Sequence, residues 1–319
     1  MGAPTGQGGG IPVTAAGDAT GRQPPGELPP GVLDDVAGVV GAEVTPLGRL
    51  AGGVNAGAVR VQVAGSVRAV LKAEPRTHPE HLDDVARARR VAQHMRGCGY
   101  PTPAWLAVGA TATHVWHLTD FVDAAPAQEL TPSLVEQLVA VVELQAGQGT
   151  EPHDHWSYAW RVVSGREPVI ARLSGQAPSV AALVDRLRAT CAGIPPPGTA
   201  PDMVHADLGP SNVLVRDGAV VAVVDIGNAG SGTRATDLTT LLWHTSGAPL
   251  DGARGRLWAR ILAVVGWEQA AVLAATQVLL QLEWPVRLGR HDLLPGVVDR
   301  GRRTLDELDA LRRRPSARA

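Results

Sequence analysis

The 319-residue chain is poor in cysteine, lysine and phenylalanine, and it has almost no net charge. Its two cysteines, Cys98 and Cys191, are too few for a disulfide-built secreted scaffold and do not have the spacing of metal ligands. A formal net charge of -2 provides no global basic field for binding nucleic acid. We therefore predict no nucleic-acid partner.

The sequence also lacks an uninterrupted apolar run near the roughly 18–20 residues that a membrane span needs. Its first residues show neither the basic start nor the apolar stretch of a secretory signal peptide. We therefore expect a cytoplasmic protein without a membrane partner. Apolar residues make up 45% of the chain, which is enough for a packed core. The length favours one two-lobed domain or two domains.

Three regions differ in composition and periodicity. Residues 1–30 are rich in glycine and proline and are predicted to form a disordered extension. Residues 31–122 are rich in strand patterns, with strands expected at 44–50, 58–63, 67–73, 104–108 and 113–121 and one helix at 80–96. Residues 123–319 are mainly helical, with helices expected at 133–145, 179–191 and through most of 234–311. The pattern predicts an α+β fold with a five-stranded sheet at the front.

A hairpin is the most distinct local feature of the second half. Two β-branched runs flank Asp217-Gly218, a strong signal for a two-residue turn. This turn places Asn212 opposite Val223, with Asp225 one diagonal step from Asn212. An amide oxygen and a carboxylate then converge at the open end of the hairpin. Such hard oxygen ligands suit Mg²⁺.

The segment before the hairpin adds a second acid. His205-Ala206-Asp207 places Asp207 five residues before Asn212, and Asp225-Ile226-Gly227 follows the hairpin. This is the H-x-D-x-x-x-x-N and D-x-G spacing of a kinase catalytic loop, in which the first Asp orients the attacking hydroxyl and takes its proton. We expect His205 to organise the loop from a buried position rather than to act as an acid or base.

Lys72 is the only lysine, beside 28 arginines, and it lies in the third predicted strand. A kinase needs a compact ammonium on a flexible stem at this place to reach the phosphates, which a planar guanidinium does not replace. A turn containing Gly52, Gly53 and Asn55 lies between the first two strands, where backbone N–H groups can cover phosphates.

The segments VHADLGPSNVLV and VVDIGNAGSGTRATDLTTLLW resemble the aminoglycoside phosphotransferase family. The resemblance covers about residues 33–312 and is most specific at 205–237. It implies a two-lobed protein-kinase-like fold. The N-lobe would hold a five-stranded antiparallel sheet with a helix, and the mainly helical C-lobe would carry the catalytic hairpin.

The resemblance also implies roles for individual residues. Asp207 would be the catalytic base, Asn212 and Asp225 the Mg²⁺ ligands, and Lys72 the ATP lysine. The stretch 119–123 would be the hinge whose backbone meets adenine, with Asp120 and Val122 as candidates, and Asp237 would support the catalytic loop. ATP, or GTP as in some relatives, is the implied phosphoryl donor.

The sequence departs from the family pattern at two places that concern the site. Ala206 stands where the family has glycine. The helical glutamate that pairs with the ATP lysine is missing, since Arg87 and Ala88 stand there, and Glu80, Asp83 or Asp84 are open alternatives.

The expected activity is ATP-dependent phosphorylation of a hydroxyl on a small molecule. The family implies an antibiotic acceptor (aminoglycoside, macrolide or basic peptide) and hence resistance. Acids of the helical region, among them Glu268, Glu283 and Asp292, could attract a cationic acceptor. The alternatives are a metabolite kinase acting on an amino alcohol or sugar, and an inactive nucleotide-binding relative. We expect a monomer or a homodimer.

Overall fold

The computed structural model describes residues 28–50 and 58–313. The candidate residues Gly52, Gly53 and Asn55, and most of the predicted extension over 1–30, lie outside the described residues. The described residues form the predicted two-lobed α+β fold, with an antiparallel sheet in the N-lobe and a helical C-lobe.

The N-lobe is built on five strands and two helices. The strands are β1 (Val44–Arg49), β2 (Val59–Val63), β3 (Val67–Pro75), β4 (Trp105–Ala110) and β5 (His114–Asp120), and the helices are α1 (Val32–Val40) and α2 (His81–Gly97). The sheet order is β1-β2-β3-β5-β4, and every neighbouring pair is antiparallel, which confirms the predicted five-stranded sheet. Strand β2 buries Val59 and Val61 while Arg60 between them is only half-buried, which is the period-2 pattern of a strand.

One face of this sheet packs on α1 and the opposite face packs on α2. Leu71, Trp116 and Leu118 form an apolar cluster with α1, and the Trp116 indole donates a hydrogen bond to Asp35 at 2.6 Å. Gly109 is required beneath this indole, because a Cβ there would lie 2.3 Å from the Trp116 ring. The position of β5 between α1 and α2 is thereby fixed.

The C-lobe contains seven helices among the described residues. They are α3 (Pro132–Glu143), α4 (His155–Val163), α5 (Val169–Arg172), α6 (Pro178–Cys191), α7 (Ala235–His244), α8 (Asp251–Arg287) and α9 (Leu294–Arg313). Thr131 and Asp154 cap α3 and α4 by accepting backbone N–H groups of their first turns.

Five short strands lie between the N-lobe sheet and these helices. They are β6 (Ala125–Pro126), β7 (Asp202–Val204), β8 (Val213–Arg216), β9 (Ala219–Val223) and β10 (Gly230–Gly232). Strands β6, β8 and β9 form one small sheet, and β7 pairs with β10 in another. The loops that follow β7 and β9 therefore lie where the two lobes meet.

Helix α8 is the central helix of the C-lobe. Within the described chain, the stretch Ala248–Arg287 is the one helix long and apolar enough, by length and composition alone, to cross a membrane. Half of its most apolar window is buried inside the fold, where α8 packs against α4, α7 and α9. Gly266, with a φ of 72°, interrupts its helical path. These features are typical of a core helix.

Candidate active site

Asp237, at the start of α7, anchors the loop that follows β7. Its carboxylate accepts backbone N–H groups from His205 at 2.7 Å and from Ala206 at 2.9 Å, and the Gln145 amide at 2.9 Å. Burial raises the pKa of this fully buried carboxyl, and His205 and the three donors oppose the rise. A loop held by three hydrogen bonds to one buried side chain has a fixed path. This matches the supporting role that the sequence implies for Asp237.

His205 links the loop that follows β7 to the residue that follows β9. Its ring Nε2 donates to the carbonyl of Val224 at 3.0 Å, and its Nδ1 accepts the backbone N–H of Asp207 at 3.3 Å. These two partners define the Nε2–H tautomer. The ring is fully buried, in agreement with the predicted loop-organising position.

Asn212 and Asp207 lie in direct contact. The Asn212 amide donates from Nδ2 to the Asp207 carboxylate and to the Asp207 carbonyl, both at 2.9 Å. Asn212 is buried, whereas Asp207 is exposed. The contact therefore presents one carboxylate to solvent in a fixed orientation and leaves the amide oxygen of Asn212 without a partner among the described residues.

The hairpin forms at the predicted turn, but its register at the open end differs from the prediction. Asp217 and Gly218 both have positive φ, 52° and 76°, as a type I′ turn requires. A bulge between Leu214 and Val215 then shifts the pairing, so that Val213 lies opposite Val223. The predicted pairing of Asn212 with Val223 is therefore wrong by one residue, because a bulge adds a residue that turn chemistry alone does not reveal.

Despite the shifted register, Asn212 and Asp225 remain near each other. The backbone N–H of Val224 donates to the Asn212 carbonyl at 2.8 Å, and Asp225 is the next residue. Asp225 itself has a φ of 65°, in the left-handed region that is costly for a residue other than glycine. Such backbone strain is concentrated at functional sites.

Lys72, from the N-lobe, adds a cation to the group formed by Asp207, Asn212 and Asp225. Its Nζ lies 2.9 Å from Asp225 Oδ1. Burial by itself would raise the pKa of the Asp225 carboxyl, but the Lys72 ammonium and its hydrogen bond lower the pKa below its ordinary value. Asp225 is therefore ionised at neutral pH and holds Lys72 across the two lobes.

The helical acids that the sequence left open do not pair with Lys72. Asp84 pairs with Arg87, within the same helix turn, and with His78 at 3.4 Å. Glu80 also contacts His78, at 3.6 Å. No acid of α2 lies within ion-pair distance of Lys72, so within the described ranges Asp225 is its sole acidic partner.

The predicted hinge follows β5 directly. Asp120 is the last residue of this strand, and its backbone N–H donates to the Ala104 carbonyl at 2.9 Å. The Val122 carbonyl accepts the N–H of Ala124 at 3.0 Å. The Val122 N–H has no hydrogen-bond partner within the described ranges. One backbone donor of this segment is therefore open to a ligand.

His117 and His155 lie near the candidate site and are not among the predicted site residues. His117 lies directly opposite Lys72 in the β3–β5 ladder, and His155 donates from Nε2 to the Asn228 carbonyl at 2.7 Å, just beyond Asp225. The strand pattern contained the signal for His117, since a polar residue lies there in an otherwise apolar run. The link made by His155 is a long-range contact with no local signal.

Two of the three acids expected to attract a cationic acceptor are already paired. Glu283 is buried and bound to Arg172. Asp292 makes two hydrogen bonds of 2.9 Å with Arg290. These carboxylates are therefore neutralised within the C-lobe.

The family of the chain follows from a comparison of sequences. A model of the phosphotransferase enzyme family (APH) matches residues 47–273, more than half of the chain. The chain therefore belongs to this family of phosphotransferases, as the sequence resemblance predicts. No curated protein matches the chain.

Solved structures share the fold at low sequence identity. The aminoglycoside phosphotransferase APH(4)-Ia superposes with a TM-score of 0.65 at 16% identity, over 86% of this chain and 97% of that one. A protein assigned as a fructosamine-3-kinase from Thermobifida fusca YX-ER1 gives 0.58 at 22% identity, over 86% and 98%. The macrolide 2'-phosphotransferase MphH from Brachybacterium faecium gives 0.53 at 18% identity, over 85% and 98%. These matches confirm the kinase-like two-lobed fold.

Proposed function

We propose that this phosphotransferase moves the γ-phosphoryl group of ATP, or of GTP, to a hydroxyl of an antibiotic and thereby confers resistance. One observation carries the proposal: Asp207 touches Asn212, and Lys72 reaches across the lobes to Asp225. These groups are the acid, amide, acid and ammonium that phosphoryl transfer from a nucleotide requires.

Asp207 is the proposed catalytic base. Its carboxylate is exposed and is oriented through one oxygen, Oδ2, by the Asn212 amide. The other oxygen is open to a hydroxyl, whose proton it can accept as the oxygen attacks phosphorus. The amide contact thus orients the base without neutralising it.

Asn212 and Asp225 are the proposed ligands of Mg²⁺. The donor set fits the metal, because the Asn212 amide oxygen and Asp225 Oδ2 have no other partner in the described part of the chain, and both are hard oxygen donors. Mg²⁺ bound there would offset the negative charge of the phosphates. Holding these two oxygens near Asp207 is the contribution of the hairpin.

Lys72 and the hinge are the proposed nucleotide-binding groups. Lys72 would contact the phosphates, and the open Val122 N–H would meet the base beside Asp120. Gly52, Gly53 and Asn55 remain the proposed phosphate cover between β1 and β2. The structure of a related APH(4)-Ia mutant with ADP and hygromycin B supports nucleotide binding by this fold.

A metabolite kinase is the second candidate, with a sugar or amino alcohol as acceptor. The pairing of the buried Glu283 with Arg172 favours a neutral sugar acceptor, because this acid is then not free for a cationic drug. The 22% identical fructosamine-3-kinase relative also supports a sugar acceptor.

A substrate screen with product mass measurement tests the proposal. The full chain would be incubated with Mg-ATP or Mg-GTP and panels of aminoglycosides, macrolides, spectinomycin, sugars, fructosamines and amino alcohols, with Mg²⁺-free reactions as controls. We expect one added phosphate on an antibiotic. Phosphorylation of a sugar, fructosamine or amino alcohol alone would support the second candidate. Nucleotide binding without any turnover would contradict both and indicate an inactive relative.

A further inference from the structure

Lys72 and the proposed Mg²⁺ would compete for the same carboxylate of Asp225, a conflict that rests on the proposed function. Asp225 Oδ1 binds the ammonium at 2.9 Å in the described structure, yet the proposed function gives the same carboxylate to Mg²⁺. A carboxylate shared with a divalent cation binds an ammonium more weakly, because the two cations repel each other. Beside the phosphates, a second protein neighbour would then keep Lys72 in its direction when the nucleotide and metal are present.

The neighbouring helix does not provide an acid for this purpose. Asp84 and Glu80 bind His78 and, for Asp84, also Arg87. Ala88, at the place where the family has its helical glutamate, is a fully buried apolar residue. We therefore consider the residues of the sheet that lie beside Lys72.

His117 is in position to be this neighbour. It lies directly opposite Lys72 in the antiparallel β3–β5 ladder, so both side chains leave the same face with Cβ atoms about 4.5–5.5 Å apart. Its ring is 8% exposed and stacks on Trp105, with centroids 4.4 Å apart and planes 15° apart. The stack fixes the ring plane beside Lys72.

The His117 ring nitrogens are unused in the described structure. Neither nitrogen has a hydrogen-bond partner among the described residues. Burial, together with the nearby Lys72 cation, lowers the pKa of His117 to about 3, although Asp225 opposes this shift. The ring is therefore neutral at physiological pH and retains one lone pair that can accept a hydrogen bond from an ammonium.

We propose that His117 is a positioning residue that holds the Lys72 ammonium through a neutral ring nitrogen once Asp225 binds Mg²⁺. Lys72 then keeps its direction toward the phosphates without help from an acid on α2. His117 acts through Lys72 and does not react itself.

The single lysine permits a direct test. Protein grown with isotope-labelled lysine has one lysine NMR signal, that of Lys72. This signal and nucleotide affinity would be measured with and without Mg²⁺, using the non-hydrolysable analogue AMP-PNP. His117→Phe keeps a flat ring on Trp105 and removes the lone pair, whereas His117→Gln keeps an acceptor. His114→Phe, on the same strand but the opposite face, is the matched control.

The proposal predicts an effect that depends on the metal. His117→Phe weakens Mg-AMP-PNP binding about 10-fold and shifts the Lys72 signal of that complex, as loss of a hydrogen bond to a charged group would do. Metal-free binding stays unchanged, because Asp225 then holds Lys72. His117→Gln restores most of the affinity, and His114→Phe resembles the parent protein.

Three results would overturn the inference. One is parental binding of Mg-AMP-PNP by His117→Phe, or by His117→Leu if the phenylalanine variant does not fold. Another is an equal loss in His117→Gln, which would assign the effect to packing. The third is an equal loss without Mg²⁺. If the parent protein binds no Mg-nucleotide, the proposed function fails as well.

Discussion

Lys72 of the N-lobe forms an ion pair with Asp225 of the C-lobe. It is the only lysine in the chain, it lies in the middle strand of the N-lobe sheet, and its Nζ lies 2.9 Å from a C-lobe carboxylate. In a chain with 28 arginines, retention of one lysine at this position indicates that charge alone does not meet the requirement. A compact ammonium fits between Asp225 and a phosphate, whereas a guanidinium has a broader planar fork.

We therefore predict that Lys72→Arg lowers kcat/KM for the nucleotide about 10-fold or more although the charge is kept. Steady-state kinetics at varied ATP concentration would measure the loss. Arg76→Lys, just beyond the end of β3, is the control exchange between the same two residue types and should leave the kinetics unchanged. Parental kinetics for Lys72→Arg would remove the argument from the single lysine.

Ala206 has an unusual backbone conformation. Its φ of 68° lies in the left-handed region, and Asp237 holds it there by accepting its N–H at 2.9 Å. For a residue other than glycine, this conformation costs about 1–2 kcal/mol of folding free energy. The sequence resemblance places glycine here in the family, so alanine at this position retains strain in the loop before Asp207.

Ala206→Gly should consequently raise the free energy of unfolding by up to about 1 kcal/mol, since relief of strain exceeds the added entropy of the unfolded chain. Thermal and denaturant unfolding would measure the change. Ala219→Gly, in strand β9 and without positive φ, should instead lower stability. A less stable Ala206→Gly protein would show that the left-handed backbone is not strained.

Among the elements, the β8–β9 hairpin shows how far local sequence determines the candidate site. The Asp217-Gly218 turn and both strands follow from turn chemistry and β-branched patterning. The bulge between Leu214 and Val215 does not follow from them, because it adds a residue for which the turn and the strand pattern contain no signal. The residues that meet at the site were therefore predictable, and their register was not.

Helices α7, α8 and α9 are joined by one buried guanidinium. Arg254 donates to Glu307 at 2.7 and 2.8 Å, to the carbonyls of Leu242 and Thr245, and to the Thr304 hydroxyl. Its side chain is only 6% exposed. Truncation would remove the guanidinium from the carbonyls of Leu242 and Thr245 and from Glu307, which would keep hydrogen bonds from Trp258 and Arg303. Loss of one partner of a buried ion pair is the costly case.

Arg254→Met should lower the free energy of unfolding by about 3–5 kcal/mol. Its melting temperature, compared with that of the parent protein, would measure this loss. Arg256→Met is the matched control on the same helix, because Arg256 forms an exposed pair with Glu136 that contributes less than about 1 kcal/mol. Equal melting temperatures for the two variants would contradict the role of the buried network.

The same network has a pH dependence whose sign follows from Glu307. Burial would raise the pKa of Glu307, but hydrogen bonds from Arg254 and Trp258 lower it below its ordinary value. A carboxyl with a lowered folded-state pKa stabilises the fold above its unfolded-state pKa and loses that contribution as pH falls through the folded value. Glu307→Gln should thus lose about 1–3 kcal/mol at neutral pH, and the difference from the parent should shrink on acidification. A difference that grows at low pH would contradict this.

In the whole molecule, the two lobes are joined by an apolar core that includes α2 and by the contact of Lys72 with Asp225. The apolar core of α2, with Val91 and Met95, is continuous with that of the C-lobe helices. Arg90 adds a two-bond ion pair to Glu151, at 2.8 and 2.9 Å. Lys72 and Asp225 therefore face each other across lobes that are held by packing as well as by charge.

The sequence was sufficient for the fold class and for the hairpin turn, because both depend on local periodicity and turn chemistry. The catalytic and metal-binding roles of Asp207, Asn212 and Asp225 stay predictions. The sequence did not indicate the pairing of Lys72 with Asp225, the position of His117 or the contact of His155 with Asn228. These contacts join residues that are distant in sequence, and each depends on how the sheet and helices pack. The phosphate-covering turn at Gly52 and Gly53 stays a prediction.

The most direct measurement for the central claim is phosphoryl transfer from Mg-ATP by Asp207→Asn and Asp217→Asn beside the parent protein. Both variants replace an exposed acid by its amide in the same part of the chain, and asparagine tolerates the φ of 52° at Asp217. We predict that kcat falls about 10²–10⁴-fold for Asp207→Asn and stays within about twofold for Asp217→Asn. Parental turnover by Asp207→Asn would contradict the assignment of the base and of the site built around it.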